Sequence, residues 1–147
     1  MTALNLKPAA DADAMTFSHV KEGDTAFRGD GLRDFFEYRD LGIADATKGK
    51  VVAHLVRAKN PPTEGTGWHR HIADFHIVVM TKGWARFMYE DKETLVEAGD
   101  CVHQRPGITH YLFDYSPDME YSAAGQFIQR RLRLKGYGNL PYPYAVP

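Results

Sequence analysis

Apolar and polar positions alternate over short distances along this chain, and no segment sustains the 3.6-residue apolar period of an amphipathic helix. The runs at 32–39 (LRDFFEYR), 50–58 (KVVAHLVRA), 75–80 (FHIVVM), 84–89 (WARFMY), 101–104 (CVHQ) and 110–115 (HYLFDY) are instead rich in β-branched and aromatic residues. Such residues pack well on a pleated, half-buried surface, so each run predicts a strand. Gly, Pro, Asp or Asn bounds each one. Thr81-Lys82-Gly83 separates two runs by a stretch ending in glycine, a compact hairpin signal because glycine takes positive φ without steric cost. Ala98-Gly99-Asp100 and Arg105-Pro106-Gly107 punctuate the next two runs in the same way. Residues 118–121 (DMEY) lead one to expect a further strand, which the small residues Ser122-Ala123-Ala124-Gly125 interrupt. Ala9 to Phe17 is the candidate short helix. Many short strands predict an all-β sandwich or barrel.

Composition narrows the class. A chain of 147 residues is one ordinary domain, large enough to fold on its own core. Hydrophobic residues at 44% and charged residues at 25% exclude disorder of the chain as a whole. Apolar runs such as Ile77-Val78-Val79-Met80 fall far short of the ~20 residues of a membrane helix. The opening MTALNLKPAADADAM has neither a basic leader nor an apolar stretch, and Cys101 is the single cysteine. A reducing cytoplasm without internal disulfides is the expected compartment.

The formal charge of −1 weakens the case for nucleic-acid binding, but it is a cancellation. Residues 123–147 carry Arg130, Arg131, Arg133 and Lys135 and no acid, which leaves the first 122 residues at −5. The sequence divides into a loose N-terminal arm (1–20), a barrel domain (21–122) and a basic, then Pro/Tyr-rich extended C-terminal tail (123–147), a candidate dimer contact. The alternating QRRLRLK reads as an exposed edge strand with basic residues that deter aggregation.

Seven histidines stand out, five of them between positions 69 and 110. His69 and His71 form an H-x-H pair. On a strand, residues two apart share a face about 7 Å apart along the chain, so two imidazoles can converge on one ion. His76 follows, and His110 opens another run. Neutral imidazoles suit Fe, Mn, Ni, Cu or Zn far better than Mg or Ca, which prefer oxygen.

The spacing of these histidines among glycines and prolines resembles the two-motif signature of the cupin superfamily. GWHRHIADFHIVVMTKG carries the first motif, H-x-H followed by a ligand position and then glycine; GDCVHQRPGITH carries the second, G-D, P-G and the final histidine. The intervening segment of 15 residues between Gly83 and Gly99 is like that of small single-domain bacterial cupins. The resemblance covers residues 50–121. It implies an antiparallel jelly-roll β-barrel of the double-stranded β-helix type.

Three departures matter. Thr63 stands where the family usually has glycine, although Gly65 and Gly67 follow it. Arg105 stands at the family's proline position, with Pro106 one step later. His76 occupies the place of the usual ligand glutamate. Carried over position by position, the resemblance implies His69, His71, His76 and His110 as ligands of one divalent transition metal, Fe or Mn favoured and Zn, Ni or Cu the alternatives. Four neutral ligands leave the full charge of the ion to attract an anionic oxygen. The resemblance then implies dioxygenase-like chemistry on a small chelating substrate such as a diketone, keto acid or diol, and a homodimer. The alternative is a non-catalytic small-molecule or metal sensor, because the fold does not fix the function.

Strand parity adds pocket candidates. Val78 and Met80 share a face with His76, and Leu112 shares one with His110, so these apolar residues are expected to line the cavity. His54 is a candidate acid or base, set against the plainer reading of a structural histidine. Asp114 shares the parity of His110 and is a candidate to orient a ligand. Cys101 and His103 share a strand face, but a lone strand cysteine reads more simply as a small buried apolar residue. Neither nucleic acid nor membrane is an expected partner.

Overall fold

The computed structural model describes residues 14–30, 33–62 and 65–127. Thr63, residues 1–13 of the N-terminal arm, and the tail from 128 onward with Arg130, Arg131, Arg133 and Lys135 lie outside the described residues. Eight strands and one short helix follow in the order β1 (Phe36–Asp40), α1 (Ile43–Ala46), β2 (Val52–Ala58), β3 (Ala73–Lys82), β4 (Trp84–Tyr89), β5 (Lys92–Glu97), β6 (Cys101–His103), β7 (His110–Tyr115) and β8 (Glu120–Phe127). They form one sheet in the order β1-β2-β8-β3-β6 and another in the order β5-β4-β7. Every pairing is antiparallel, and the whole is an antiparallel jelly roll.

Period-two alternation builds this core. Along β3, His76, Val78 and Met80 are buried while Asp74 and Ile77 are exposed, so from His76 to Met80 every second residue faces inward, and Ile77 and Val79 take the other face. Met80, Val96, Met119, Leu112, Val56 and Phe36 pack together with Ala85, Phe87 and Tyr115 between the sheets. The Tyr115 hydroxyl donates to the Asn60 carbonyl at 2.5 Å, which gives this buried polar tip a partner.

Two connections differ from the expected pattern. Thr81 and Lys82 continue β3, and Gly83 turns the chain from one sheet into the other, so the segment is a corner rather than a hairpin. At Gly83 φ is +65°, and a Cβ would lie 2.1 Å from Ser116 Oγ; only glycine fits. The hairpin lies instead between β4 and β5, where Tyr89 pairs with Lys92 and Glu90 takes a φ of 56°. That turn carries no glycine or asparagine, which is why β5 has no sequence signal.

β8 runs unbroken from Glu120 to Phe127 and sits between β2 and β3, so the 122/123 division falls inside a central strand. The small residues are what this place needs. Ala123 lies opposite both His54 and Val78, and Gly125 lies opposite both Val52 and His76, so large neighbours on either side meet no bulk from the strand between them. Residues 14–17 of the candidate helix are not helical, and α1 is a single turn that no apolar period marks.

Candidate metal centre

The residues from Thr66 to His69 run antiparallel to β7 and hang the first two histidines beside it. Thr66 N donates to Leu112 O at 2.8 Å, Leu112 N donates to Thr66 Oγ1 at 2.9 Å, and His69 and His110 exchange both backbone hydrogen bonds at 2.9 Å. Gly65 makes this approach close. Its φ is +72°, and a Cβ there would lie 2.7 Å from the Leu112 carbonyl, so a larger residue would push the histidine segment off the strand. His71 is held from the other side, where its carbonyl accepts from Gly107 N at 3.3 Å, and the His76 carbonyl accepts from Gln104 N at 2.9 Å.

Ligand-capable atoms of His69, His71 and His110 lie within 4.8 Å of one another. Ring centroids are 4.4 Å apart for His69 and His110, and 5.1 Å for His71 with either of them. The Nδ1 atoms of His69 and His110 lie 2.8 Å and 2.9 Å from the carbonyls of Gly67 and Ile108. A carbonyl only accepts, so each Nδ1 carries the proton and donates it, and each Nε2 keeps its lone pair. This is how a protein sets the tautomer of a metal-binding imidazole.

Electrostatics keep the rings neutral. Burial lowers the His69 pKa to about 4, with His110 and Arg33 adding to the effect. His71 falls to about 2, from burial first and then the neighbouring histidines. His110 is lowered by burial, against the opposing pull of its bond to Ile108. A site that rejects protons keeps its lone pairs for another Lewis acid. The described residues therefore fit a divalent ion held by nitrogen, and this three-histidine group could hold one.

His76 lies beside that group. Its ring centroid is 4.8 Å from that of His71, it is buried, and burial followed by the charges of His110 and His54 lowers its pKa to about 3. Register explains its inward aim: β3 has an irregularity between Ala73 and Phe75, and His76 begins the buried alternation after it.

The histidines open on a cavity between the sheets, with about 60 Å³ in which the centre of a water-sized molecule can move. A single water needs only ~10–15 Å³ on this measure. Val78, Leu112, Val56, Phe36 and Phe87 make its apolar wall, and Ala123 its gap on β8. His54 also lines it, buried, with burial lowering its pKa to about 4 against the pull of Asp40. Met80 does not line it: one alternation beyond Val78, it is packed in the sealed core.

Asp114 is a correction. β7 has an extra residue between Leu112, opposite Phe87, and Asp114, opposite Arg86. This bulge reverses the parity, so Tyr115 is buried in the core and Asp114 is not among the cavity's lining. Cys101 and His103 are both exposed on β6, so the expectation of a buried cysteine also fails. Both point away from a strand whose short inward side is Val102.

Sequence reasoning missed Arg33, Gln104 and Tyr121, all of which line the cavity. Gln104 Nε2 donates to the Tyr89 hydroxyl at 2.7 Å. Arg33 precedes β1 in a segment without regular structure, and no motif spacing reaches it.

Residues 56–117 match the family model described as the cupin domain. A comparison with curated proteins finds no match. Among solved structures the chain is similar to an RmlC-like cupin from Shewanella frigidimarina, at 12% identity over 80% of this chain and 97% of that one, with a TM-score of 0.60. It is similar to the polyketide cyclase RemF from Streptomyces resistomycificus, at 14% identity over 76% of this chain and 80% of that one, with a TM-score of 0.62. HppE, solved with iron(II), is 15% identical over 74% of this chain and 60% of that one, with a TM-score of 0.58. Identities this low speak to the shared fold alone. Residues 56–117 thus match the cupin domain, within a fold shared with these cupin neighbours.

Proposed function

We propose that this cupin is a metal-dependent, dioxygenase-like enzyme acting on a small chelating organic substrate, a keto acid, diketone or diol. The observation that carries the reading is the convergence of His69, His71 and His110 within 4.8 Å on a cavity whose remaining wall is largely apolar. His76 completes the set as a fourth ligand, supported by its inward burial beside His71. Iron or manganese suits such imidazoles together with an oxygen-donating substrate, and Zn, Ni and Cu are the alternatives. The bound ion would supply a Lewis acid and, for a redox metal, a site for reaction with O₂. The iron(II) in the related fold of HppE supports the iron reading.

The chain's own residues do the rest. His69 and His110 present Nε2 because backbone carbonyls hold their Nδ1 protons. Val78, Leu112 and Phe87 exclude water from the bound substrate, which strengthens every polar contact made there. His54, neutral at pH 7 because burial holds its pKa near 4, can accept a hydrogen bond from the substrate but is a weak base. Oxygen consumption and substrate depletion by the iron- and manganese-loaded protein, across diketones, catechols and keto acids, test the reading. Turnover of one class supports it; tight binding without turnover favours a non-catalytic binding protein.

A further inference from the structure

His69 and His110 have their Nδ1 protons held by the backbone carbonyls of Gly67 and Ile108. For His76 the sheet places a side-chain carbonyl in the same role. We infer that Gln104 is the positioning residue of His76: its Oε1 takes the ring N–H and leaves the other ring nitrogen, with its lone pair, to the ion of the histidine group. The inference rests on the reading of His76 as a fourth ligand and deepens it.

Strand pairing brings the two side chains together. β6 pairs with β3 through Val102 with Val78 and His103 with Ile77. One step further Gln104 stands across from His76, and its N–H donates to the His76 carbonyl at 2.9 Å. Residues directly opposite on an antiparallel ladder project to the same face, with Cβ atoms about 4.5–5.5 Å apart. That face is the interior: Gln104 is 4% and His76 7% exposed, and both line the cavity, while His103 and Ile77 beside them are exposed.

The amide is held at its other end. Gln104 Nε2 donates to the Tyr89 hydroxyl at 2.7 Å, and the Tyr89 ring is stacked on Phe87 with centroids 5.4 Å apart, beside His110 at 5.6 Å. With Nε2 committed, Gln104 has its carbonyl left, an atom that only accepts. Among the described residues Oε1 is buried without an aligned donor, a costly condition for an amide oxygen. A neutral imidazole carries one N–H and one lone pair. Turning the His76 N–H towards Oε1 satisfies the amide and decides which nitrogen is left to bind, the control that metal-binding imidazoles need. A glutamine does this without adding a negative charge, so the ion keeps its own.

Nitrogen-15 NMR of the metal-free full chain reads the tautomer of His76, its signals identified by their loss in His76→Ala. One tautomer is expected in the wild type, with a ring N–H slow to exchange. Gln104→Met fills the same space without a carbonyl. It should bring both tautomers to comparable population and weaken manganese(II) binding about 10- to 100-fold, the effect expected of losing a ligand's orienting partner. Gln104→Glu keeps an acceptor at the same reach and should keep the single tautomer.

Two comparably populated tautomers in the wild type would overturn the inference. So would a Gln104→Met protein with the wild-type tautomer, because a merely structural role moves affinity alone. An altered tautomer at unchanged manganese affinity overturns it too, since it puts His76 outside the coordination. Should Gln104→Met not fold, Tyr89→Phe decides: it releases the far end of the amide and should admit the second tautomer, and an unmoved tautomer there sinks the idea. Manganese uptake separates the two proposals. A wild type that binds none loses the fourth-ligand reading, while the tautomer in the metal-free chain still decides on Gln104. A chain that binds manganese with a tautomer independent of Gln104 keeps the enzymatic reading and loses this inference.

Discussion

The two ends of the barrel interior are built by the same strands and do opposite things. β3 contributes His76 and Val78 to the cavity and Met80 to the sealed core; β7 contributes His110 and Leu112 to the cavity and, past its bulge, Tyr115 to the core. Backbone alternation is the same at both ends, so it does not distinguish a site from a core. What differs is how polar atoms are held and where bulk is withheld. At the open end, carbonyls of Gly67 and Ile108 hold imidazole rings, and Ala123 leaves a gap between His54 and Val78. At the closed end, Met80, Ala85 and Met119 are at most 1% exposed, and the interior is filled.

The largest stability effect should come from breaking the closed end. Met80→Ala removes a fully buried side chain and is expected to cost about 2–5 kcal/mol in denaturant unfolding, with metal binding kept. A loss of metal binding in a still-folded Met80→Ala protein would show that the two ends are not separable. Filling the open end is milder. Ala123→Leu places a branched side chain in the gap and should cost about 1–3 kcal/mol in denaturant unfolding, while leaving metal content unchanged.

Acid should weaken the open end selectively. His54 and His69 titrate near 4, and His71 and His76 lower still, against about 6.5 in an unfolded chain. Between those values the unfolded state binds more protons, so stability rises with pH there. In the metal-free protein the contribution of these histidines should be complete above about pH 6.5 and be lost progressively as pH falls through 4 towards about 2. Thermal melts along this range check it, and the His69→Ala/His71→Ala protein should lose less than the wild type. Parallel losses in both would place the acid sensitivity elsewhere.

Much of this was legible in the sequence where local chemistry and the tertiary environment agree. β4 and β7 have the predicted limits, because their aromatic and β-branched runs are also the ones that fill the interior. His69, His71 and His110 were named through the resemblance of their two motifs to the cupin pattern, and the fold brings the three together. Other features depend on context that spacing does not carry. The Phe113 region of β7 looks like plain alternation, yet one extra residue turns Asp114 away. Ser122-Ala123-Ala124-Gly125 looks like a break, yet a central strand flanked by His54, Val78 and His76 favours small residues. β5 is mostly exposed and has Val96 as its one fully buried residue, too little for a hydrophobic pattern. Arg33 reaches the cavity from outside any strand, so no sequence pattern marks its place there.

The histidine group, if it serves as a metal centre, holds its ion through His69, His71 and His110. Elemental analysis of protein purified without a nickel column, wild type beside His69→Ala/His71→Ala, tests it most directly. A divalent transition metal near one per chain is expected in the wild type and close to none in the double variant, with both proteins folded. Background metal in the wild type, even after incubation with iron(II) or manganese(II), or equal metal in both proteins, would contradict it.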